Sequence, residues 1–91
     1  MNIIRQEAAA GTAESSDALV HIAPGTGTVE LEIESVVLSQ FGEAIRTAAL
    51  ETLTELGVDN AKVHIMDRGA LDCVLRARVE TAARRAMEVK E

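Results

Sequence analysis

The most regular pattern in the chain is the alternation of apolar and acidic residues in Val29-Glu30-Leu31-Glu32-Ile33-Glu34. Strict alternation predicts a β-strand whose apolar side chains face a core and whose three glutamates face solvent. Residues 17–23 and 61–66 alternate in the same way and predict two further strands, each with valine and isoleucine at the inner positions. Residues 24–27, Pro-Gly-Thr-Gly, have the composition of a turn, so the first two strands are predicted to form a β-hairpin.

Two other segments repeat apolar residues at helical spacing. The first is expected to begin near Ser35 or Ser39, whose hydroxyls can cap a helix N-terminus, and to end at Gly57, where a positive φ is allowed. The second runs from about residue 70 to the C-terminus. The apolar positions expected to be buried are Phe41, Ile45, Ala48, Ala49, Leu53 and Leu56 in the first helix, and Leu71, Val74, Leu75, Val79, Ala82 and Ala86 in the second.

The predicted order of elements is ββαβα, which indicates a two-layer α+β sandwich: a three-stranded mixed sheet with two helices on one face. The strand–helix–strand unit predicts a right-handed crossover between parallel strands. We expect the first strand in the middle and the glutamate-rich strand at an edge, where its charges deter pairing with other chains. Residues 1–16 are predicted to be a flexible N-terminal segment and residues 17–91 a single domain. Residues 1–9 are left unassigned, as either a short strand or a frayed end.

Composition narrows the possible functions. The 91 residues suffice for one core without disulfides. A net charge of −6 and a single aromatic residue, Phe41, argue against nucleic-acid binding, which needs basic surfaces and stacking faces. The sequence shows no apolar run of transmembrane length and no signal peptide, so we expect a cytoplasmic protein that does not bind membranes. The single cysteine, Cys73, excludes an intrachain disulfide and is expected to be a structural thiol.

The candidates for catalysis or metal binding are the two histidines. His21 and His64 are expected on the open face of the sheet together with Glu30, Glu32 and Glu34. Imidazoles and carboxylates in that arrangement are able to form a metal or acid–base site. A solvated face with cross-strand charge pairs is the favoured interpretation. The sequence also contains no phosphate-binding glycine loop and no nucleophile elbow, so no catalytic or metal-ligating residue is predicted.

The remaining unusual stretch is residues 10–17, Ala-Gly-Thr-Ala-Glu-Ser-Ser-Asp. Glycine, hydroxyl residues and aspartate together favour an exposed, bent backbone with no part in the core. Segments of this kind are usually disordered leaders. The alternative is that a serine displayed there, Ser15, carries a covalent group.

Three stretches taken together resemble the acyl carrier protein of citrate lyase, which is the gamma subunit of that enzyme. They are residues 10–17, residues 40–46 (Gln-Phe-Gly-Glu-Ala-Ile-Arg) and residues 69–78 (Gly-Ala-Leu-Asp-Cys-Val-Leu-Arg-Ala-Arg). The resemblance covers about residues 9–79 in the same order. It points to Ser15 as the attachment site, with Ser16 as the minor alternative. Ala13 and Ser16 depart from the usual pattern, which has a larger apolar residue at the first position.

The resemblance implies a carrier that is not itself a catalyst. Its serine would hold 2'-(5''-phosphoribosyl)-3'-dephospho-coenzyme A through a phosphodiester, and the terminal thiol of that arm would bear acetyl and citryl thioesters. The implied partners are the alpha (acyl transferase) and beta (citryl lyase) subunits of citrate lyase, which convert citrate to acetate and oxaloacetate, and the transferase that attaches the group. Tethering makes each transfer intramolecular.

Two other interpretations stay open. The carrier subunit of malonate decarboxylase uses the same type of group, although the run from Leu71 to Arg78 favours the citrate enzyme. An unmodified α+β interaction module would carry no adduct and would bind a partner through the open sheet face. The charged side chains of Asp72, Arg76 and Arg78 are either a docking surface or, as favoured here, partners at helical i,i+4 spacing.

Overall fold

The computed structural model describes residues 2–88. Its elements are, in chain order, β1 (Ala8–Gly11), β2 (Ala18–Ala23), β3 (Val29–Ser35), α1 (Leu38–Glu55), β4 (Ala61–Asp67) and α2 (Asp72–Met87). The strands form one mixed sheet in the order β1-β2-β4-β3. The predicted α+β class with two helices is confirmed, and the sheet has four strands where three were expected.

The core lies between the helices and one face of the sheet. The antiparallel pairing of β2 with β4 sets Val20 opposite Ile65 and Ile22 opposite Val63, and all four side chains are buried. Helix α2 packs on β1 and β2, while α1 packs on β3 and on α2. The apolar helix residues that complete the core are Ile45, Ala48, Ala49 and Leu53 in α1, and Leu75, Val79, Ala82, Ala83 and Ala86 in α2.

The glutamate-rich strand β3 lies at the edge of the sheet, as predicted. It pairs in parallel with β4, so the connection through α1 joins parallel neighbours as expected. Val29, Leu31 and Ile33 are only half-buried, because an edge strand has a neighbour on one side alone. The three glutamates are exposed, which protects the free edge.

The predicted hairpin of β2 and β3 is wrong, and so is the central place given to β2 among the three predicted strands. Strand β4 lies between them. The connection over residues 24–28 crosses the start of β4: a Cβ on Gly25 would overlap Asn60 and Ala61, and the Gly27 N–H donates to Asn60 Oδ1 at 2.8 Å. Turn composition predicts that the chain bends there, but it does not specify which strand becomes the neighbour.

Regular structure begins before residue 17, in the part of the chain where the sequence leaves a short strand open. Strand β1 pairs antiparallel with β2, with Ala10 opposite Val20, and Ala10 is buried in the core. Arg85 on α2 donates to the Ala9 carbonyl oxygen at 2.8 Å. Three alanines give almost no alternation signal, yet the ladder needs only their backbone groups. The mobility of residues 1–16 stays a prediction.

Helix α1 begins without either predicted serine cap. Its N-cap residue is Val37, and no side chain caps it. The Ser35 hydroxyl accepts the Val37 N–H at 3.1 Å and donates to the buried carboxylate of Asp67 at 2.8 Å. The predicted end at Gly57 is confirmed, with a φ of 72°. Over residues 2–88, neither helix has the length and apolar composition that crossing a membrane requires.

Three residues expected inside are exposed. Phe41 is 53% exposed and Leu71 is 70% exposed, because both line an open cavity beside the first turns of the helices and do not reach the sheet. Cys73 is exposed as well, so it is not a packed structural thiol. Helical periodicity identifies which side of a helix is apolar. It does not show which part of that side lies over the sheet and which part extends past its end.

Candidate functional site

The serine loop, residues 12–17, joins β1 to β2 at one end of the sheet. Ser15 and its neighbours Glu14 and Ser16 are exposed. The loop is closed on itself, since the Asp17 N–H donates to the Glu14 carbonyl oxygen at 3.2 Å and the Glu14 N–H donates to Thr12 Oγ1 at 3.2 Å. Ser15 therefore presents its hydroxyl to solvent from a defined turn.

Asp17 anchors this loop to the body of the protein. Its Oδ1 accepts the Ala18 N–H at 2.7 Å and Arg78 Nε at 3.0 Å. Its Oδ2 accepts the Thr12 hydroxyl at 2.8 Å and Arg78 Nη2 at 3.0 Å. The paired bonds from one guanidinium to one carboxylate fix both distance and orientation. The loop is thereby attached to α2.

The same contacts lower the pKa of Asp17 to about 2 from an ordinary value of 3.8. The hydrogen bonds from Arg78 are the largest cause, followed by the Ala18 N–H and the Thr12 hydroxyl, all of which favour the ionised carboxylate. The pKa of Arg78 is raised in turn by its bonds to Asp17. The anchor is therefore fully charged at neutral pH.

A second attachment runs to the end of β4. The Ser16 N–H donates to the Arg68 carbonyl oxygen at 2.8 Å, and the Arg68 N–H donates to the Asp17 carbonyl oxygen at 2.9 Å. Ser16 has a φ of 65°, in the left-handed region where a residue other than glycine is strained. The backbone on the C-terminal side of Ser15 is thus held in place, which leaves Ser15 at the exposed apex.

Gly11 serves close packing at the base of the loop. Its φ is 94°, and a Cβ there would overlap the Ala18 carbonyl oxygen. The Arg78 Cδ would also lie 3.1 Å from that Cβ. Only glycine lets the end of β1 approach β2 and α2 so closely. This close approach leaves room for the contact between Asp17 and Arg78.

The open face of the sheet brings together the histidines as predicted. His21 lies opposite His64 across β2 and β4. His64 Nε2 is 2.9 Å from Glu34 Oε2, and His21 Nε2 is 3.8 Å from Glu7 Oε1. Over residues 2–88, no three side chains of the metal-binding types are grouped to hold an ion. On this face each histidine contacts one glutamate, His64 across to β3 and His21 across to the residue before β1.

The charged residues of α2 divide into two kinds. Arg76 pairs with Asp72 at 2.7 Å, the predicted i,i+4 partner, and with Glu51 of α1 at 2.8 Å. Arg78 instead reaches Asp17, which is 61 positions away in the chain. Helical spacing predicts the first pair and gives no signal for the second. Arg78 is accordingly part of the serine loop's support.

Known proteins match this chain over almost its whole length. A family described as "Malonate decarboxylase delta subunit (MdcD)" matches residues 5–86. The citrate lyase acyl carrier protein of Escherichia fergusonii is 54% identical over 92 residues, which span 100% of this chain and 94% of that protein. The one from Cronobacter sakazakii is 52% identical over 90 residues, 99% of this chain and 92% of that protein. The chain belongs to the citrate lyase acyl carrier protein family.

Membership in this family makes the chain a non-catalytic carrier subunit, whose acyl group travels on a covalently attached prosthetic group. A chain in the crystal structure of a Pseudomonas malonate decarboxylase hetero-tetramer in complex with malonate has the same fold, with a TM-score of 0.79 and 23% identity. That match covers 93% of this chain and 88% of the other. The malonate decarboxylase alternative is less supported than the citrate lyase assignment, because relatives more than half identical are citrate lyase carriers.

Proposed function

We propose that Ser15 is the attachment residue of this carrier and that its prosthetic group is phosphoribosyl-dephospho-coenzyme A. The observation that carries the proposal is the position of Ser15 at the exposed apex of a loop whose C-terminal side is anchored to α2 and to the end of β4. An attachment residue needs a hydroxyl that a transferase active site can enclose. It also needs a base that keeps its shape once a large group is attached.

The residues around Ser15 fit such a group. Ala13 and Ser16 have small side chains and are exposed, so the loop leaves space for a phosphodiester on the Ser15 oxygen. When bound, the group supplies a thiol that holds an acyl group as a thioester and so activates its carbonyl. The protein supplies a fixed attachment point. Asp17, Arg78 and Arg68 hold the loop where the arm begins, and the arm itself moves.

The proposed partners are the acyl transferase and citryl lyase subunits of citrate lyase, together with the prosthetic-group transferase. The names of the relatives support the first two, because those proteins are carriers of citrate lyase. A fixed base with a long tether gives each partner's active site a high effective concentration of the acyl group. The acidic surface, with a net charge of −6, suits basic patches on the partners.

Loading the purified chain with its transferase tests the attachment residue. We compare the wild type with Ser15→Ala and Ser16→Gly by intact mass. The wild type should gain one group, Ser15→Ala none, and Ser16→Gly one, because glycine accepts the φ of 65° without strain and keeps the loop in shape. Ser16→Gly thus controls for loss of a neighbouring hydroxyl. Loading of Ser15→Ala at Ser16 would reassign the site, and a wild type that takes up nothing would favour the unmodified interaction module.

A further inference from the structure

An apolar cavity lies between the first turns of α1 and α2, beyond the end of β4. Its volume is about 480 Å³, within the range typical of small-molecule sites. We call it the α1–α2 groove. The apolar residues that define it are Val37, Phe41, Ala44, Ala70, Leu71 and Leu75.

Two large apolar side chains of the groove are exposed to solvent. Residues 2–88 leave five large apolar side chains exposed, and two of them, Phe41 and Leu71, line the groove. Val36 and Leu38 are next to or near Val37, another lining residue, but do not line the groove themselves. The fifth, Ile3, lies elsewhere in the chain. Two large apolar side chains exposed in one concave site of a small acidic protein favour a ligand that covers them.

The groove lies at the same end of the sheet as the serine loop. Arg68 exchanges backbone hydrogen bonds with Ser16 and Asp17, and the next residue, Gly69, lines the groove. Strand β4, whose end borders the groove, is the direct neighbour of β2, which begins just after the loop. The start of β2 and the end of β4 are paired, so the loop and the groove are neighbours at this end of the sheet, within reach of a long arm attached to Ser15.

We propose that the α1–α2 groove holds the thiol end of the carrier's own prosthetic group while no partner subunit engages it. This inference rests on the proposed attachment at Ser15. The occupant is the amide-linked, largely apolar pantetheine end of the arm, bearing a free thiol or a small uncharged acyl group such as acetyl. Because the arm is tethered, its effective concentration is in the millimolar range and weak apolar contacts suffice.

The charges at the groove restrict which acyl group enters. The carboxylates of Asp67 and Asp72 border it. Asp67 is buried, and its oxygens already accept hydrogen bonds from Ser35, Gly69 and Ala70. A citryl group, with several carboxylates of its own, stays outside, because burying those charges in an apolar groove beside Asp67 costs free energy; outside, a lyase active site can reach it. Acetyl is sheltered from water, which slows hydrolysis of its thioester.

Alkylation of the arm thiol tests this inference. The loaded chain is prepared with Cys73→Ser, which leaves the arm thiol as the sole thiol, and its reaction with N-ethylmaleimide is timed. Ala44→Glu places a charge in the groove at an exposed helix position, and Thr47→Glu places the same charge at an exposed position of α1 outside it. If the groove holds the arm two-thirds of the time, Ala44→Glu should speed alkylation about threefold and Thr47→Glu should not change it.

Equal rates in all three proteins would overturn the inference. Amide NMR spectra of the loaded and bare chains without groove substitutions provide a second readout: shifts at Val37, Phe41 and Leu71 are expected, and unshifted signals there would also overturn it. This readout remains valid if Ala44→Glu fails to fold. If Ala44→Glu leaves the alkylation rate unchanged but weakens binding of a citrate lyase subunit, the groove is a partner surface and does not hold the arm.

The two proposals fail in different ways. If the proposed function is wrong, the chain gains no mass on treatment with the transferase, and the groove inference falls with it. If only the groove inference is wrong, the chain gains the mass on Ser15 but its thiol reacts as fast as that of free dephospho-coenzyme A.

Discussion

Asp17 connects the serine loop to two other parts of the molecule. One carboxylate accepts hydrogen bonds from the loop through Thr12, from the start of β2 through Ala18, and from α2 through Arg78. Its side chain is only 16% exposed, although it lies two positions from an exposed serine. The geometry of the attachment residue therefore depends on a neighbour that the attached group need not touch.

The low pKa of Asp17 predicts a specific loss of stability in acid. A carboxyl whose pKa is about 2 when folded and 3.8 when unfolded stabilises the fold above the higher value and loses that contribution as pH falls through the lower one. We expect Asp17→Asn to lower the melting temperature at pH 7 and to reduce the drop in melting temperature between about pH 3.8 and pH 2. Thermal melts across this range measure both.

Asp59→Asn is the matched control, because Asp59 is an exposed carboxylate in the connection between α1 and β4. It should leave the melting temperature at pH 7 nearly unchanged. Equal effects of the two substitutions on the acid transition would contradict the role assigned to Asp17.

Gly11 gives a second prediction at the scale of one residue. Gly11→Ala adds a Cβ that overlaps the Ala18 carbonyl oxygen at a φ of 94°, and we expect it to destabilise the fold by about 2 kcal/mol or more. Gly27→Ala is the control: its φ is 125°, but nothing lies within 4 Å of the added Cβ, so only the cost of the backbone angle, about 1–3 kcal/mol, applies, without the overlap found at Gly11. Urea unfolding gives both values. A Gly27 variant that is the less stable of the two would contradict the close approach at Gly11.

The start of helix α2 departs from the burial that its apolar spacing predicts. The spacing of apolar residues predicts that both Leu71 and Leu75 are buried, yet Leu71 is 70% exposed beside the groove and Leu75 is 3% exposed. Leu75→Ala should therefore cost about 2–5 kcal/mol of unfolding free energy, as for other buried leucines. Leu71→Ala should change it by no more than about 0.5 kcal/mol. Chemical denaturation of both variants tests the pair, and similar losses would place Leu71 in the core.

The elements that the sequence predicts correctly are those with a strong local signal. Alternation identifies β2, β3 and β4, and their inward faces, because each buries one face under the helices. Strand β1 is missed, since its residues Ala8–Gly11 carry no polar–apolar contrast. The neighbours of β2 are also missed. Pairing with β4 joins segments far apart in the chain, and no local pattern encodes that choice.

At the scale of the whole molecule, the fold brings the N-terminal hairpin onto the C-terminal helix. Arg78 holds Asp17, and Arg85 holds the Ala9 carbonyl, so α2 supports both the loop and the strand before it. Replacing Arg78 by glutamate is consequently a poor test of partner docking. It would disturb the serine loop and a docking surface together.

This arrangement predicts how far a change in α2 is transmitted. Arg78→Ala should increase hydrogen exchange at the amides of Ser16 and Asp17, because the loop loses its attachment to the helix while the rest of the fold stays protected. Arg84→Ala removes an exposed i,i+4 partner of Glu80 on the same helix and should leave those amides unchanged. Exchange followed by NMR distinguishes the two. Equal protection of the loop in both variants would mean that Arg78 does not anchor it.

The candidate site could be predicted only in part. The composition of residues 10–17 indicates exposure, and the resemblance favours Ser15 over the adjacent Ser16. What holds the loop could not be found, because Asp17 with Arg78 and Ser16 with Arg68 are contacts between distant segments. The groove could not be found either, since Phe41, Ile45, Leu71 and Leu75 have the spacing of ordinary core positions in two helices.

The most direct test of the carrier role is the intact mass of this chain purified from its native cells while they produce citrate lyase. An increment equal to phosphoribosyl-dephospho-coenzyme A, placed on Ser15 by fragmentation, is the expected result. An unmodified chain isolated together with active lyase would contradict the account.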